Sequence, residues 1–332
     1  MRGRVERVGF RRTFWHVLLW LAAWTLVSTL QAAPQTYPDG RLIRLVAGAA
    51  AGSASDLIAR ALGETLRSEL GVTILVENRP GATGVIAGRA VLAAPADGHT
   101  ILIQTGAHTI VPYLMKVEYD PLRDFSGVAT VASVPSILVV PRSSPFKTVH
   151  DLVAAAKAAP GKLNYASLGP GSATFMNAEK FHRAADIKAT NVTFRGANEA
   201  ITETMGGRID YVFAPLLAAL PQIEAGTLKA LAVGSTNHLS QLPDVPTLSE
   251  TGIANAEYLF WVGLLVSSQT PRSIVEKLSQ AVSKALETPE FRARLGALGV
   301  EPLPKGPQEF DALLREESRS AAEFFGSAEP KQ

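Results

Sequence analysis

RLIRLVAGAAAGSASDLIARAL, residues 41–62, begins as a strand and ends as a helix. Residues 41–47 read as a buried strand, and 56–70 read as a helix with Leu57, Ala61, Leu62, Leu66 and Leu70 on one face. Gly71 is a natural stop. Between strand and helix lies a turn almost bare of side chains, from Gly48 and Ala49 through Gly52, Ser53, Ala54 and Ser55 to Asp56.

The same script continues outward. A second strand is expected over 72–77, then the turn Asn78-Arg79-Pro80-Gly81, a helix of small residues and a strand over 100–105. Strand and helix in alternation predict an α/β fold with mostly parallel sheets flanked by helices. The pattern then recurs. Residues 163–167 enter a second bare turn, 168–174, followed by a helix carrying Phe175, Ala178 and Phe181, and 192–197 echo 76–82. The offset drifts from 121 to 110 residues across the copies, so this is repeated architecture and not a fixed-period solenoid. Two similar lobes follow, the default for 332 residues. Toward the C-terminus, Thr270-Pro271, Thr288-Pro289 and Gly306-Pro307 each open a helix, with Ile274, Val275, Leu278, Val282, Ala285 and Leu286 on one stripe. The tail over 326–332 is expected to be loose.

Five arginines (2, 4, 7, 11 and 12) precede an apolar run over 17–30 and then Gln31-Ala32-Ala33-Pro34. That order describes a cleavable signal peptide over 1–32, exported by the general secretory or the twin-arginine route, with cleavage after Ala32 or Ala33. The leader takes five of the 32 basic and one of the 30 acidic residues, which leaves 27 and 29 and a net charge of −2. Nothing basic remains to suggest nucleic acid. Cysteine is absent, which excludes disulfides, thiolate metal sites, a cysteine nucleophile and an acylated-cysteine lipid anchor.

Seven phrases occur in order: YPDGRLIRLVAGAAAGSASDLIARAL, VTILVENRPGATGVIAGRAV, PADGHTILIQTGAH, YDPLRDFSGVATVASVPSILVV, GKLNYASLGPGSATFMNAEKF, GRIDYVFAPLLAALPQIEAGTLKALAV and LPDVPTLSETG. Together they resemble the Bug-type receptors, the periplasmic solute-binding proteins of tripartite tricarboxylate transporters. The resemblance runs from about Tyr37 to Phe324. It implies a two-lobed Venus-flytrap protein, a periplasmic monomer without cofactor or metal, that closes over a small carboxylate and performs no catalysis. It also implies two crossings between lobes, near Ser136 and Tyr258. Lobe 1 would then comprise 33–135 with 258–325, and lobe 2 would comprise 136–257.

The bare turns suit an acid. A helix start presents unpaired N–H groups and roughly half a positive charge, so it holds an anion wherever side chains leave the approach clear. Gly52, Ala54, Ser53 and Ser55 serve this from lobe 1, with Asp56 read as the cap that shapes the loop. From lobe 2, Ser167, Gly169, Gly171 and Ala173 clear the backbone, while Ser172 and Thr174 supply hydroxyls. By the resemblance, Thr105-Gly106-Ala107-His108 forms another ligand loop, although an isolated histidine is more often structural. Phe194 and Arg195 stand where the family has tyrosine and lysine, at the cleft mouth or on the surface. Trp261 matches a family tryptophan near the second crossing, or is simply a packed aromatic.

Departures from the family speak to specificity. Ala49 replaces a bulky aromatic and Ser53 a second glycine, which widens the pocket floor. After Phe213 the family often carries Asp or Asn, and this chain has Ala214-Pro215. With no acid there to pair an ammonium group, a non-amino carboxylate with some apolar bulk is expected. The partner is a membrane permease or a membrane sensor. An exported NAD-dependent oxidoreductase is the rival reading, but Gly48-x-x-x-Gly52 is not G-x-G-x-x-G. A hydrolase lacks its motif, since Tyr165 stands where the first glycine of G-x-S-x-G belongs.

Overall fold

The computed structural model describes residues 37–326; the leader, its cleavage site and the tail from 327 onward lie outside the described residues. Contacts separate residues 1–39 from 40–332. Of the first group only the turn beginning at Tyr37 is described, and the architecture below is that of the second.

The chain lays down β1 (Ile43–Ala47), α1 (Ala54–Leu70), β2 (Ile74–Asn78), α2 (Val85–Leu92), β3 (Thr100–Thr105), the short α3 (Ala107–Ile110) and β4 (Phe125–Ser133). Helix α1 starts two residues before Asp56 because Ser53 caps it, its Oγ accepting from the Asp56 amide. It ends at Gly71, which takes the left-handed conformation (φ 68°) and donates its amide to Arg67 O. Beyond β4, after Val134 and Pro135, the chain enters a second group. This comprises β5 (Ser136–Pro141), α4 (Val149–Ala158), β6 (Asn164–Ser167), α5 (Ala173–Ala185), β7 (Thr190–Thr193), α6 (Ala197–Met205), β8 (Tyr211–Pro215), α7 (Leu216–Glu224) and β9 (Leu228–Val233). It then returns through β10 (Trp261–Ser267), α8 (Arg272–Glu287), α9 (Pro289–Ala297), β11 (Glu301–Pro302) and α10 (Pro307–Phe325).

Two sheets result, ordered β11-β4-β10-β3-β1-β2 and β7-β6-β8-β5-β9. Strands joined by a helical crossover run parallel: β1 pairs with β2 and β3, and β6 with β7 and β8. Among the described residues four strands of each sheet run the same way, as expected, and the strands that run against them make both sheets mixed. β10 enters the first sheet from the second and lies antiparallel between β3 and β4, while β5 enters from β4 and lies antiparallel between β8 and β9. A strand that arrives from a neighbouring sheet has no crossover helix of its own to turn it parallel.

Both sheets are covered on both sides. Along β5, Leu138 and Val140 join a core with Tyr165, Phe181 and Phe213, while Ile137 and Val139 pack on the opposite face against Ile201 and Leu216. On the first sheet, Trp261, Phe310, Leu102 and Phe125 share a core. The stripe expected on α8 is buried at Val275, Leu278, Val282, Ala285 and Leu286, with Ala281 in place of Ile274.

Gly263 of β10 lets α10 approach: a Cβ there would lie 2.6 Å from Phe310 Cζ and 3.1 Å from Ala129 O. Gly263→Ala is therefore expected to cost about 1–3 kcal/mol, the usual penalty for overpacking a core. Urea unfolding measures it, and an unchanged midpoint would show that the ring yields.

Candidate functional site

The two bare turns are each pinned by their own side chains. In the first, the buried Asp56 carboxylate accepts from Gly52 N (2.8 Å), Arg60 Nε (3.1 Å) and Asn78 Nδ2 (2.9 Å). Asn78 Nδ2 also reaches Ala49 O at 3.1 Å, so the 48–53 loop is tied to both β2 and α1. Burial pushes the Asp56 carboxyl up, but the hydrogen bonds from Arg60, Gly52 and Asn78 outweigh it and hold the group below 3.8.

In the second turn, Ser172 Oγ donates to Gly169 O (2.6 Å) and accepts from Phe175 N (3.3 Å). Thr174 Oγ1 accepts from Leu168 N at 2.9 Å. Ser167 Oγ donates to Asn191 Oδ1 (2.7 Å) and accepts from Gly169 N (3.0 Å). Gly169 and Gly171, at φ 92° and 81°, make the reversal that no side chain would tolerate cheaply.

Pinned in this way, the helix starts open onto one cavity of about 340 Å³ between the sheets. Ala54 of α1 lines it from one side, and Gly171, Ser172, Ala173 and Thr174 line it from the other. Among the described residues no protein acceptor meets the amides of Ala54, Ser55, Ala173 and Thr174. Thr105 and Ala107 form one wall and Phe213 another. Among the described residues the lining carries no charged side chain. Its other surfaces come from Leu168, Pro170, Pro215, Phe260, Val134 and Pro135.

Several candidates lie away from the lining, for physical reasons. Ser53 spends its hydroxyl as a helix cap, and the side chains of Ser55 and Asp56 are turned inward. Ala49 and Gly52 are engaged through their backbones by Asn78 and Asp56. His108 is buried among Tyr119 and Phe125, with Nε2 3.2 Å from Pro121 O. Burial lowers it to about 4 against that hydrogen bond, so it is neutral at pH 7. Trp261 is fully buried, edge-on to Phe310, and donates Nε1 to Glu317 Oε2 at 2.7 Å. Ala214 and Phe194 pack in the core on the opposite face of the second sheet. Arg195 is exposed, its amide donating to Glu199 Oε2. Ser167, Gly169 and Gly106 are buried next to lining residues without joining the lining.

A family model described as tripartite tricarboxylate transporter family receptor matches residues 58–325. The chain belongs to that receptor family. It is a periplasmic solute-binding protein of the Bug/TctC type. Among its relatives, the UPF0065 protein in the tcbD-tcbE intergenic region of Pseudomonas sp. (strain P51) is 34% identical over 95% of this chain and 93% of that one. Among solved structures, Rpa4515 of R. palustris with adipate is 29% identical, covering 87% and 98% of the two chains at a TM-score of 0.75. MatC (Rpa3494) from Rhodopseudomonas palustris, with bound malate, is 30% identical over 86% and 99%, at a TM-score of 0.72. Periplasmic binding protein BugD is 30% identical over 87% and 97%, also at 0.72. Among the described residues of this receptor, no helix is long and apolar enough to cross a membrane.

Sequence reading of the receptor missed Thr83 and Ser136. Thr83 lines the cavity from a run of left-handed residues, Gly81, Ala82, Thr83 and Gly84, at φ 127°, 47°, 56° and 93°. Two non-glycine residues held there store strain, and the Asn-Arg-Pro-Gly turn just ahead was the available signal. Ser136 lines the cavity where the chain first changes sheets. Its Oγ donates to Asn177 Oδ1 at 2.8 Å, an orientation fixed because Asn177 Nδ2 donates to Ala173 O.

Asp56→Ala should destabilise the receptor by about 1–3 kcal/mol, since it leaves the Gly52 and Asn78 donors unpaired. A depressed carboxyl stabilises above its unfolded value, and that contribution fades as pH falls through the folded value. The difference between wild type and Asp56→Asn should accordingly narrow below pH 3.8. A gap that is constant from pH 7 to 3 would contradict the ionised clamp.

Proposed function

We propose that the chain captures a small organic carboxylate between two lobes and presents it to a membrane permease of the tripartite tricarboxylate type, with no chemistry performed on it. One observation carries this: two helix starts with open amides meet at a cavity of about 340 Å³ with no charged side chain among the described residues of its lining. Such a lining cannot neutralise an anion by ion pairing, whereas oriented amides can hold it. The relatives solved with adipate and with malate support an acid as cargo.

The lobes on this reading are 33–135 with 258–325, and 136–257. Val134, Pro135 and Phe260, from the two connecting segments, border the cavity, so a ligand held there touches both lobes and their hinge. The wall of Phe213, Pro215, Phe260 and Leu168 favours apolar bulk in the cargo. An α-ammonium group would find no carboxylate among the described residues of the lining, which disfavours amino acids.

Thermal-shift measurement against mono-, di- and tricarboxylates and aromatic acids tests the reading. A cargo at 100 times its Kd should stabilise the protein by about 2.7 kcal/mol. Ala54→Asp keeps a good first-turn residue for the helix but sets a negative charge at the amides. It should abolish the shift while leaving the ligand-free melting temperature nearly unchanged. Full binding by Ala54→Asp would remove the helix starts from the site, and tighter binding of glutamate or aspartate than of any plain acid would overturn the cargo class.

A further inference from the structure

Behind the Thr105–Ala107 wall lies an acid that the capture of a carboxylate does not use. Glu317 of α10 accepts at Oε2 from Trp261 Nε1 (2.7 Å) and from Thr109 Oγ1 (3.2 Å). Both donors are buried, at 0% and 1% exposure, so the carboxylate oxygen they share faces the interior of a half-buried residue. Gly106 stands directly over it: a Cβ there would lie 3.5 Å from both Glu317 oxygens and 2.6 Å from Tyr258 Oη. Tyr258 Oη is buried without a hydrogen-bond partner among the described residues.

The groups facing Glu317 come from every side. Trp261 and Tyr258 approach from β10 and the segment ahead of it, Thr109 from α3, and Lys180 from α5, its Nζ 5.8 Å above the Tyr258 ring and donating to Glu257 O. Thr109 has one hydroxyl proton and two acceptors in reach, Glu317 Oε2 and Gly106 O at 2.9 Å. It can serve only one at a time.

We propose that Glu317 is a positioning residue whose protonation is coupled to capture of the anion. Ionised, it draws the Thr109 hydroxyl to itself and sets a negative charge behind the ligand loop. Protonated, it releases that hydroxyl to Gly106 O and removes the charge. This inference rests on the carboxylate reading above. Burial raises the Glu317 carboxyl to about 7, against the pull of Trp261, Thr109 and Lys180, so the exchange falls near neutrality. The sign follows from linkage: an anion in the cavity favours the protonated acid, and the protonated acid favours the anion to the same degree. In the ligand-free protein a raised carboxyl stabilises below its unfolded value of 4.5, and this stability is lost as pH rises through about 7.

Calorimetric titration with adipate from pH 6.5 to 8.5, where carboxylic acids are ionised, tests the coupling. Affinity should be about three- to tenfold higher at the acid end, with proton uptake from the buffer. Glu317→Gln should bind with an affinity that does not vary across the range. In the full chain carrying Trp15→Phe, Trp20→Phe and Trp24→Phe, fluorescence reports Trp261 alone and should titrate near pH 7 unless Glu317→Gln is added. Wild-type affinity that is flat with pH, or a pH dependence that survives Glu317→Gln, overturns the proposal. The wild-type profile and the fluorescence titration decide it even where the variant fails to fold. If adipate, malate and the other acids of the screen fail to bind at every pH, the carboxylate reading fails and the coupling falls with it.

Discussion

A peptide N–H at a helix start must meet an acceptor, water or a ligand, because the helix itself supplies none. Around the cleft this requirement is concentrated. Ala54 and Ser55 open α1, Ala173 and Thr174 open α5, and both starts front one cavity. The surrounding side chains keep those amides clear. Asp56 pulls the first loop back through the Gly52 amide, and Ser172 folds the second loop onto Gly169 O. Hydroxyls that look like ligand donors in the sequence are thereby used within the loops, and on the proposed reading the backbone is left to hold the anion.

The rest of the cleft is apolar, which shapes what a ligand can contribute. Gly171 sits against Leu114 and Ile110, where a Cβ would come within 2.7 Å of Leu114 Cδ1. Nearby, Ile110, Met176, Tyr258 and Ala321 share a cluster with Phe175 and Phe324, and Arg183 lies 4.8 Å over the Phe324 ring. Elements of the two sheets thus already touch beside the cavity. Apolar contact of this kind favours closure without regard to the ligand's identity. On the proposed reading a bound anion adds the differential term by accepting from amides of both helix starts at once.

Much of this was legible in the sequence because it is local. The repeated strand, bare turn and helix set two sides of the cavity, Gly71 ended α1, and the α8 stripe faced the core. Distant partners hid the remainder. The antiparallel entry of β10 depends on a chain returning from another sheet, which no periodicity encodes. Thr83 reaches the cavity only through a backbone conformation unusual for its residue type. For Trp261 the sequence left a ligand contact and a packed aromatic equally open, because Glu317, which holds its indole inside, lies 56 residues away. His108 likewise gave no sign of its aromatic surroundings.

The central claim is that backbone amides at two helix starts hold the cargo anion. A crystal structure of the protein with a carboxylate identified by the thermal screen tests it most directly. The account predicts carboxylate oxygens within about 2.7–3.2 Å of amides at both the 53–55 and 172–174 turns, directly or through one ordered water. A carboxylate bound through Arg195 or another surface cation, with both helix starts left to solvent, would contradict it.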